Sequence, residues 1–381
     1  MRIGLVGAGP WASGTHAPAL QAHPGVELAG VWARRPEAAR QLGLPVFASY
    51  PALLEAVDTV ALAVPPAVQA PLAIAAAQAG KHLILEKPIA GSLAEAQELT
   101  EVVQAAGVGS IVLLTRRFAT ETRGFLDAAA QHRWPAGTAM WLSGAALGGP
   151  YAASPWRQEQ GSLFDVGPHV LDLLDAALGT ITDVALARHD RPSDTWQVTL
   201  DHVDGARSTA TLSLRTPIQP TAFQLALHGS EGYLELNRRE TPATECYAVM
   251  LDEFLAAVDG EWSGHPCDIR RGLHLQRAIG SSATPTAERA CTPTSPNTSP
   301  SSSDAPLITA GCPVNPGAEA TKPTTLTTRT TESMPTSAWI AASALSAQLR
   351  ARSWACSAET AAPTWPVAAN APSTNGSWPE V

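Results

Sequence analysis

The chain has 381 residues, a formal net charge of -9 and five cysteines, a length that accommodates two domains of about 100–200 residues each. The acidic balance argues against a protein that binds nucleic acid by electrostatic attraction. The cysteines are odd in number and lack metal-ligand spacing, which favours free thiols in the cytoplasm and predicts no metal site. We find neither a secretory signal nor an apolar run of about 18 residues, so we expect no membrane association.

Composition divides the chain into three predicted regions. Residues 1–118 alternate short apolar strands with helical segments, which is typical of a parallel, doubly wound α/β domain. Residues 119–279 contain helices and a run of strand signals separated by turn residues. Residues 280–381 are dominated by Ser, Thr, Pro and Ala and predict a disordered tail, because such a composition cannot readily bury a core. Two origins of this tail are considered: a reading-frame shift near residue 280 and a genuine extension.

The first strand signal, residues 3–6, runs directly into a glycine-rich turn. A first glycine permits the tight turn, and a second lets the backbone approach a pyrophosphate. A small residue then lets the following helix pack closely on the strand. The free N–H groups at the start of that helix favour negative charge. The pattern G-x-G-x-x-A therefore predicts a dinucleotide site formed by Gly7, Gly9, Pro10, Trp11 and Ala12.

The second strand signal, residues 26–32, ends without the acidic residue that usually binds the ribose 2′-hydroxyl of NAD. Ala33 occupies that place, and Arg34 and Arg35 follow it. A guanidinium binds a 2′-phosphate in bidentate fashion, and here no carboxylate repels the phosphate. We therefore predict NADP as the preferred cofactor and NAD as the alternative, in which case both arginines are solvated.

Strands and helices continue to alternate through the rest of the first region. The predicted helices cover residues 37–42, 50–57, 69–80 and 92–106, and the predicted strands cover residues 46–47, 59–64, 83–85 and 110–115. Ligands bind beyond the carboxyl ends of parallel strands. The predicted cofactor site therefore extends to two strand ends, at Pro65, Pro66, Glu86 and Lys87. Pro88 ends the second of these strands and leaves Lys87 at the mouth of the cleft; the alternative is a solvated Glu-Lys pair in a loop.

A second group of polar residues surrounds Pro168, which favours the first turn of a helix. Asp165, His169 and Asp172 are spaced four and three residues apart, so a helix that contained all three would carry them on one side. The positive end of a helix disfavours the imidazolium form of His169, and a neutral histidine beside a carboxylate is a candidate general base. The alternative is structural, with Asp165 capping the helix and His169 packed in the core.

These motifs together resemble those of the Gfo/Idh/MocA family of nicotinamide-dependent oxidoreductases over about residues 1–279. The matching segments are the glycine-rich turn with His16 after it, the Glu-Lys-Pro segment at residues 86–88, and the pattern D-x-G-x-H-x-x-D at residues 165–172. The three motifs occur in the family's order. The resemblance departs at one position, since Gln69 stands where many members have a histidine.

The resemblance implies a Rossmann domain followed by an α+β domain with an open, mainly antiparallel sheet. That sheet often forms subunit contacts, so we expect a homo-oligomer. The resemblance also implies a cleft between the domains, with Lys87, Asp165 and His169 at a small-molecule substrate. Residues 184–188, 195–201, 208–215, 221–229 and 232–236 are predicted as strands, and residues 246–258 as a helix.

The motifs and the resemblance predict an NAD(P)-dependent oxidoreductase that acts on a secondary alcohol, or its ketone, in a sugar, cyclitol or related polyol. In the oxidative direction His169 accepts the hydroxyl proton, Lys87 stabilises the oxygen, and Asp165 orients the substrate and tunes His169. The roles of Lys87 and His169 are interchangeable at this stage, and Asp172 is assigned a structural role. Residues assigned tentatively to the substrate are Arg117, Trp156 and Arg157.

Two alternatives from other functional classes remain open. One is a nicotinamide-assisted glycosidase, in which transient oxidation of a sugar hydroxyl permits elimination of the aglycone. The other is a redox-inactive regulator that senses the bound nucleotide. The presence of Lys87, Asp165 and His169 together argues against the regulator, because a sensor does not need residues that transfer protons.

Overall fold

The computed structural model describes residues 1–149, 152, 154–260 and 262–283. Its N-terminal part is built on a five-stranded sheet in the order β2-β1-β3-β4-β5, in which every pair of neighbouring strands is parallel. Strands of such sheets are covered on both faces and read as continuous apolar runs. The predicted parallel, doubly wound Rossmann domain is confirmed. The strands are β1 Arg2–Val6, β2 Glu27–Trp32, β3 Thr59–Leu62, β4 His82–Leu85 and β5 Ser110–Val112.

Helices connect these strands, and local residues set where the helices begin and end. The side chains of Ser49 and Ser92 accept hydrogen bonds from backbone N–H groups at the starts of two helices. Gly107, in the left-handed conformation, follows the second of these helices. The helix after the glycine-rich turn begins with a π-helical turn, Ala12–His16. The α-helices are α1 Ala17–Ala22, α2 Pro36–Arg40, α3 Tyr50–Ala56, α4 Pro66–Gln78 and α5 Leu93–Ala106.

The second sheet has six strands in the order β11-β10-β6-β9-β8-β7. All neighbours are antiparallel except β6 and β9, which are parallel. Along β8, buried residues alternate with more exposed ones, which is the pattern of a sheet with one covered face. The strands are β6 Ala136–Leu142, β7 Ile181–Asp190, β8 Thr195–His202, β9 Arg207–Ser213, β10 Ala222–Gly229 and β11 Gly232–Leu236.

Within the described residues, five helices accompany the second sheet, and α8 packs on β6 and β9. Short 3-10 turns, Thr115–Phe118 and Val203–Gly205, complete the irregular segments. The predicted α+β architecture with a mainly antiparallel sheet is confirmed. The helices are α6 Thr120–Ala129, α7 Pro155–Asp165, α8 Gly167–Leu178, α9 Ala243–Val258 and α10 Ile269–Ala283.

Strand β6 was not predicted, although it lies in the middle of the second sheet. Its sequence is rich in small residues, which have low strand propensity. Gly137 is small for a packing reason, since a Cβ at this position would lie 2.9 Å from Leu178 Cδ1 of α8. The strand is therefore stabilised by its pairing with β9 and β10 and by the helix packed on it, contacts that the local sequence does not show. Helices α6 and α7 were also missed.

Three further expectations differ from the structure. The strand predicted at residues 46–47 is reduced to one bridge between Val31 and Val46. Asp165 and His169 do not share a helix, because α7 ends at Asp165 and α8 begins after Val166. Helix α10 extends to Ala283, whereas the second region was predicted to end at residue 279, before the tail. The predicted disordered tail lies outside the described residues from residue 284 onward.

Helix α10 packs against helix α5 and strand β5 of the N-terminal part of the chain. It also packs against helix α8 and strand β7, which accompany or belong to the second sheet. Its Gln276 side chain donates to the carbonyl oxygens of Ala90, at 2.8 Å, and Ser92, at 3.1 Å. A Cβ on Gly272 would lie 2.5 Å from Ile89 Cγ2, so a glycine allows close packing there. All described residues fall in one compact unit, and the division at residues 118 and 119 stays a prediction.

Candidate functional site

The glycine-rich turn after β1 has the conformation and the space that a dinucleotide needs. Gly7 has φ of 112° and a Cβ there would clash with the carbonyl oxygen of Ala63, so only glycine fits. The Gly7 N–H donates to the Trp32 carbonyl at 2.9 Å, which joins the turn to the end of β2. At Gly9 a Cβ would meet no atom within 4 Å, so the backbone is open to a ligand. Buried Ala12 packs behind the turn, and the residues fit a bound pyrophosphate.

The end of β2 places Ala33, Arg34 and Arg35 beside this turn. Ala33 is half-buried, and both arginines are exposed. Arg35 precedes α2, and Pro36 starts that helix. The predicted side chains for a 2′-phosphate therefore stand at the surface, next to the strand end that the Gly7 N–H contacts.

A hydrogen-bonded chain of four side chains connects the glycine-rich turn to the Glu-Lys-Pro segment. Trp11 Nε1 donates to Glu86 Oε1 at 2.6 Å, and His16 Nε2 lies 2.8 Å from the same oxygen. The Tyr247 hydroxyl lies 2.9 Å from His16 Nδ1. Burial, with a smaller contribution from Glu86, raises the pKa of Tyr247 well above its ordinary value, so this phenol is neutral. Tyr247 was not predicted, because it lies 231 residues from His16 in the chain.

Gln69 holds the backbone of the Glu-Lys-Pro segment. The side chain is fully buried, its Oε1 accepts the Glu86 N–H at 2.8 Å, and its Nε2 donates to the carbonyl oxygens of Glu86, Pro88 and Ile89 at 2.8, 3.3 and 3.1 Å. The two N–H groups of the amide are thus shared among three carbonyl oxygens, and its oxygen accepts one N–H. Pro65 and Pro66, which precede Gln69, start helix α4. Gln69, which stands where many members of the family have a histidine, therefore holds the segment that carries Lys87 in place.

Lys87 and Asp165 form the centre of the site. Lys87 Nζ donates to the Asp165 carboxylate at 2.8 Å and to its backbone carbonyl at 2.7 Å. Arg157 Nε donates to the other carboxylate oxygen at 2.8 Å, and its guanidinium lies 4.6 Å from the Trp156 ring centroid. Burial alone would raise the pKa of Asp165, but Lys87 and Arg157 lower it to about 2. Asp165 is therefore an ionised partner of two cations and does not cap α8.

His169 lies in the first turn of α8, stacked on Trp141 with a centroid distance of 6.0 Å. Burial lowers the pKa of His169 well below its ordinary value, and the positive charges of Lys87, Arg116 and Arg239 lower it further, while Asp165 opposes them. The imidazole is therefore neutral near pH 7. Its buried Nδ1 has no hydrogen-bond partner within the described part of the chain.

One cavity of about 440 Å³ brings these residues together, within the usual size for small-molecule sites. Lys87, Asp165 and His169 line it, with Trp11 and Glu86 on the cofactor side. The second sheet and its loops contribute residues that were not assigned to the site from the sequence. These are Trp141, Phe223, the residues Pro220 and Thr221 before β10, and the segment Asn237, Arg238 and Arg239.

The three residues assigned tentatively to the substrate lie in different places. Arg157 lines the cavity, and Trp156 packs under its guanidinium. Arg117 is not among the residues that line the cavity; its guanidinium donates to Asp172 at 3.1 Å. The neighbouring Arg116 lines the cavity instead, with its guanidinium carbon 4.4 Å from the Trp141 centroid.

Asp172 and Asp175 join α8 to α10. Arg271 Nε donates to Asp172 at 2.7 Å, and the Arg271 guanidinium also hydrogen-bonds the Asp175 carboxylate. His274 Nε2 lies 2.6 Å from Asp175. Burial would raise the pKa of Asp175, but the hydrogen bond from His274 and the charge of Arg271 lower it to about 2. These contacts agree with the structural role assigned to Asp172.

Fold and site together define a nicotinamide-dependent oxidoreductase with a Rossmann domain. A model of the oxidoreductase family with an NAD-binding Rossmann fold matches residues 1–113, and a model of the GFO/IDH/MocA C-terminal domain matches residues 97–235. The chain belongs to the Gfo/Idh/MocA family of NAD(P)-dependent dehydrogenases and reductases.

A curated relative and two solved structures illustrate this membership. The relative, dTDP-3,4-didehydro-2,6-dideoxy-alpha-D-glucose 3-reductase of Streptomyces violaceoruber, is 31% identical over 259 residues, which are 64% of this chain and 74% of the relative. Levoglucosan dehydrogenase, in complex with NADH and levoglucosan, has a TM-score of 0.65 at 19% identity and covers 74% of this chain and 97% of its own. KijD10, a 3-ketoreductase from Actinomadura kijaniata in complex with NADP, has a TM-score of 0.60 at 21% identity, with coverage of 74% and 96%.

Among the helices of residues 1–149, 152, 154–260 and 262–283, none has an apolar stretch that could span a bilayer. No group of three or more His, Cys, Asp and Glu side chains in these residues is arranged to hold a metal ion. Cys246 and Cys267 are both buried.

Proposed function

We propose that this protein is an NADP-dependent oxidoreductase that transfers hydride between the nicotinamide and a secondary alcohol, or its ketone, in a sugar, cyclitol or related polyol. The observation that carries the proposal is that Lys87 and His169, from separate parts of the chain, line one cavity beside Glu86 and Trp11. The relatives' names support the substrate class, since they describe a reductase of a sugar nucleotide and a dehydrogenase of levoglucosan.

A nicotinamide cofactor held at the turn of Gly7 and Gly9 would supply the hydride acceptor for oxidation of the carbinol carbon, or the hydride donor for reduction of the carbonyl carbon. Lys87 uses two of its three N–H groups on Asp165, so the third is available to the substrate oxygen. This donor stabilises negative charge that develops on that oxygen. His169 is neutral and accepts the hydroxyl proton as the carbonyl forms. In reduction His169 first takes up a proton from solvent and then donates it to the oxygen as hydride reaches the carbonyl carbon.

Asp165 fixes the position of Lys87, and the geometry favours this role over direct contact with the substrate. Both carboxylate oxygens accept hydrogen bonds from cations, one from Lys87 and one from Arg157. Because Asp165 is 1% exposed, its charge is not screened by water and holds the ammonium firmly. Gln69 holds the backbone on either side of Lys87, so both ends of this residue are constrained.

The preference for NADP rests on Ala33, Arg34 and Arg35. A 2′-phosphate gains charge-assisted hydrogen bonds from exposed guanidinium groups, whereas the 2′-hydroxyl of NAD lacks its usual carboxylate partner. High salt should weaken the preference, because exposed charges are screened.

Dimerisation through the outer face of the second sheet is part of the proposal. Leu186 and Tyr233 expose 47% and 59% of their surface. Their partners in the ladder are Thr199 and His228, and this face is the one opposite the buried side chains of β8 and β10. Light scattering coupled to gel filtration should give the mass of a dimer or higher oligomer. We assign the protein to the cytoplasm, because five scattered cysteines suit a reducing compartment better than a disulfide framework.

The function is tested by a screen of sugars, cyclitols and their keto forms with NADP(H) and NAD(H). Each cofactor molecule should be converted in proportion to substrate, as a dehydrogenase requires. Net hydrolysis of a glycoside with only catalytic amounts of cofactor would instead establish the glycosidase alternative. Cofactor binding without turnover of any member of the panel, and without hydrolysis, would favour the regulator.

A further inference from the structure

We propose that Tyr247 is a positioning residue for the cofactor side of the cavity. Its hydroxyl donates a hydrogen bond to His16 Nδ1 and thereby holds the imidazole with its Nε2–H directed at Glu86. The Glu86 carboxylate, held in this way, fixes Trp11 beside the glycine-rich turn. The inference rests on the proposed function, because Glu86 and Trp11 line the part of the cavity that we assign to the nicotinamide cofactor.

Tyr247 reaches the site from a distant part of the chain. It lies in α9, and its hydroxyl is 2.9 Å from Nδ1 of His16, which stands 231 residues earlier. Both side chains are fully buried, and their rings meet edge to face with centroids 5.1 Å apart. Tyr247 is not among the residues that line the cavity, whereas Glu86 and Trp11 are. We therefore expect Tyr247 to affect a bound cofactor through His16.

The direction of each hydrogen bond follows from the chemistry of its groups. An indole N–H can only donate, so Glu86 Oε1 accepts from Trp11 Nε1 at 2.6 Å. The same oxygen lies 2.8 Å from His16 Nε2, and a carboxylate oxygen at that distance pairs with a ring N–H. Within the described residues, the Tyr247 hydroxyl hydrogen-bonds only to His16 Nδ1. Because a buried hydroxyl that donates to no acceptor costs free energy, Tyr247 donates to Nδ1.

These directions define one tautomer of His16, with its proton on Nε2 and a lone pair on Nδ1. They also define the orientation of the ring. A flip of the imidazole about its Cβ–Cγ bond would move Nε2 away from Glu86 and Nδ1 away from Tyr247. Successive hydrogen bonds in a buried site also polarise and strengthen one another. A hydroxyl outside the cavity thus controls how firmly the Glu86 carboxylate is held.

The Glu86 carboxylate joins two segments of the chain on the cofactor side. Trp11 directly precedes the π-helical turn Ala12–His16, and Glu86 directly follows β4. The ammonium of Lys87 is held separately, by Asp165 at 2.8 Å. Loss of the phenol hydroxyl should therefore weaken binding of the cofactor and leave the chemical step nearly unchanged.

The first test is Tyr247→Phe, which removes the hydroxyl and keeps the ring. We expect calorimetry to show about three- to tenfold weaker binding of NADP, with kcat at saturating cofactor within about twofold of the parent. Parallel titrations with NAD cover the case in which NAD is the tighter ligand. The matched control is Tyr50→Phe, which removes another buried hydroxyl, one that donates to the Leu72 carbonyl at 2.7 Å. This control should leave cofactor affinity unchanged.

A second background tests whether Tyr247 acts through the imidazole. In His16→Gln the amide NH₂ stands near the position of Nε2 and can donate to Glu86 with no tautomer to fix. Tyr247→Phe should then change cofactor affinity by less than about twofold in this background. An equal loss of affinity in both backgrounds would show that the hydroxyl does not act through His16, and the proposal would be wrong.

The proton positions on His16 can be measured without turnover. Long-range ¹H–¹⁵N correlation spectra of the ¹⁵N-histidine-labelled parent should show one His16 ring proton, on Nε2, with the signals assigned by their loss in His16→Gln. A proton on Nδ1 in the parent would overturn the proposal, as would equal cofactor affinity in Tyr247→Phe and the parent. A parent that has the Nε2–H tautomer and loses affinity in Tyr247→Phe, but oxidises or reduces no member of the substrate panel, would refute the proposed function alone.

Discussion

The two ends of the cavity are constructed in different ways. The cofactor end uses one short turn after β1, with the ends of β2 and β4 beside it. The substrate end takes Asp165 from α7, His169 from α8, and further lining residues from two strands and the loop before α9. A contiguous turn is set by local conformation, whereas residues from separate elements depend on tertiary packing. The first end is therefore suited to a constant ligand and the second to a variable one.

This contrast predicts that substitutions at the substrate end change turnover but not affinity for NADP. The largest effect is expected for His169→Ala, which removes the proton acceptor and should lower kcat by about 10²–10⁴-fold. The kcat of this variant should recover in part at high pH, because hydroxide can replace the missing base. Steady-state kinetics from pH 6 to pH 10, with NADP affinity measured by calorimetry, would check both statements. A kcat within a few-fold of the parent would remove His169 from the mechanism.

Lys87→Met should lower kcat by about 10²–10³-fold, since it removes one charged donor from the reacting oxygen. Affinity for NADP should stay within a few-fold, because the pyrophosphate binds at the turn of Gly7 and Gly9. Asp165 keeps Arg157 as a partner in this variant, so the buried carboxylate is not left unpaired. The same kinetic and calorimetric measurements apply.

The double variant Lys87→Met/His169→Ala should lose less than the product of the two single losses, because both residues act on one oxygen and one proton. Strictly multiplicative losses would show instead that the two residues act independently. If Lys87→Met alone keeps nearly full activity on a verified substrate, Lys87 has no role in catalysis.

At the cofactor end the expected effect is smaller, and it changes the affinity for the cofactor while kcat stays nearly the same. Ala33→Asp places a carboxylate beside Arg34 and Arg35, where it repels a 2′-phosphate and accepts the 2′-hydroxyl of NAD. We expect the parent to bind NADP at least about tenfold more tightly than NAD, and the variant to reverse that order with little change in kcat. Calorimetric affinities at two salt concentrations would check this, with Ala33→Ser as the uncharged control. Equal or tighter binding of NAD by the parent would refute the assignment.

The smallest effect concerns the packing between α8 and α10. The pKa of Asp175 is about 2 in the folded protein and 3.8 for the ordinary group, so its stabilisation is complete above about pH 4 and is lost as pH falls through about 2. Asp175→Asn should lower the free energy of unfolding at pH 7 by about 2 kcal/mol. The pH dependence below pH 4 should become shallower in this variant, and Asp165 still contributes there.

Urea unfolding at a series of pH values would measure this effect. Asp183→Asn, at an exposed position of β7, is the matched control and should change stability little. The same acid dependence in Asp175→Asn and the parent would show that the carboxylate is not held by Arg271 and His274 as described.

The sequence predicted the parts of the site that are encoded by adjacent residues. The glycine-rich turn, the strand that precedes Glu86 and Lys87, and the helix start near His169 all follow from local rules of turn, strand and helix formation. Tyr247 and the loop at Arg239 could not be predicted in this way, because their proximity to the site depends on how the second sheet and α9 pack. Gln69 was noticed only as a departure, and its hydrogen bonds to a segment 17 to 20 residues away are visible only in the fold.

The position of helix α10 late in the chain determines the order in which the two ends of the site form during synthesis. No residue of this helix lines the cavity of Lys87 and His169. However, Gln276 binds the backbone just after the Glu-Lys-Pro segment, and Arg271 binds the helix that carries His169. A chain still attached to the ribosome can form the glycine-rich turn early, because its residues come first. The catalytic geometry is completed only after residue 276 has emerged, so cofactor affinity should precede activity during synthesis.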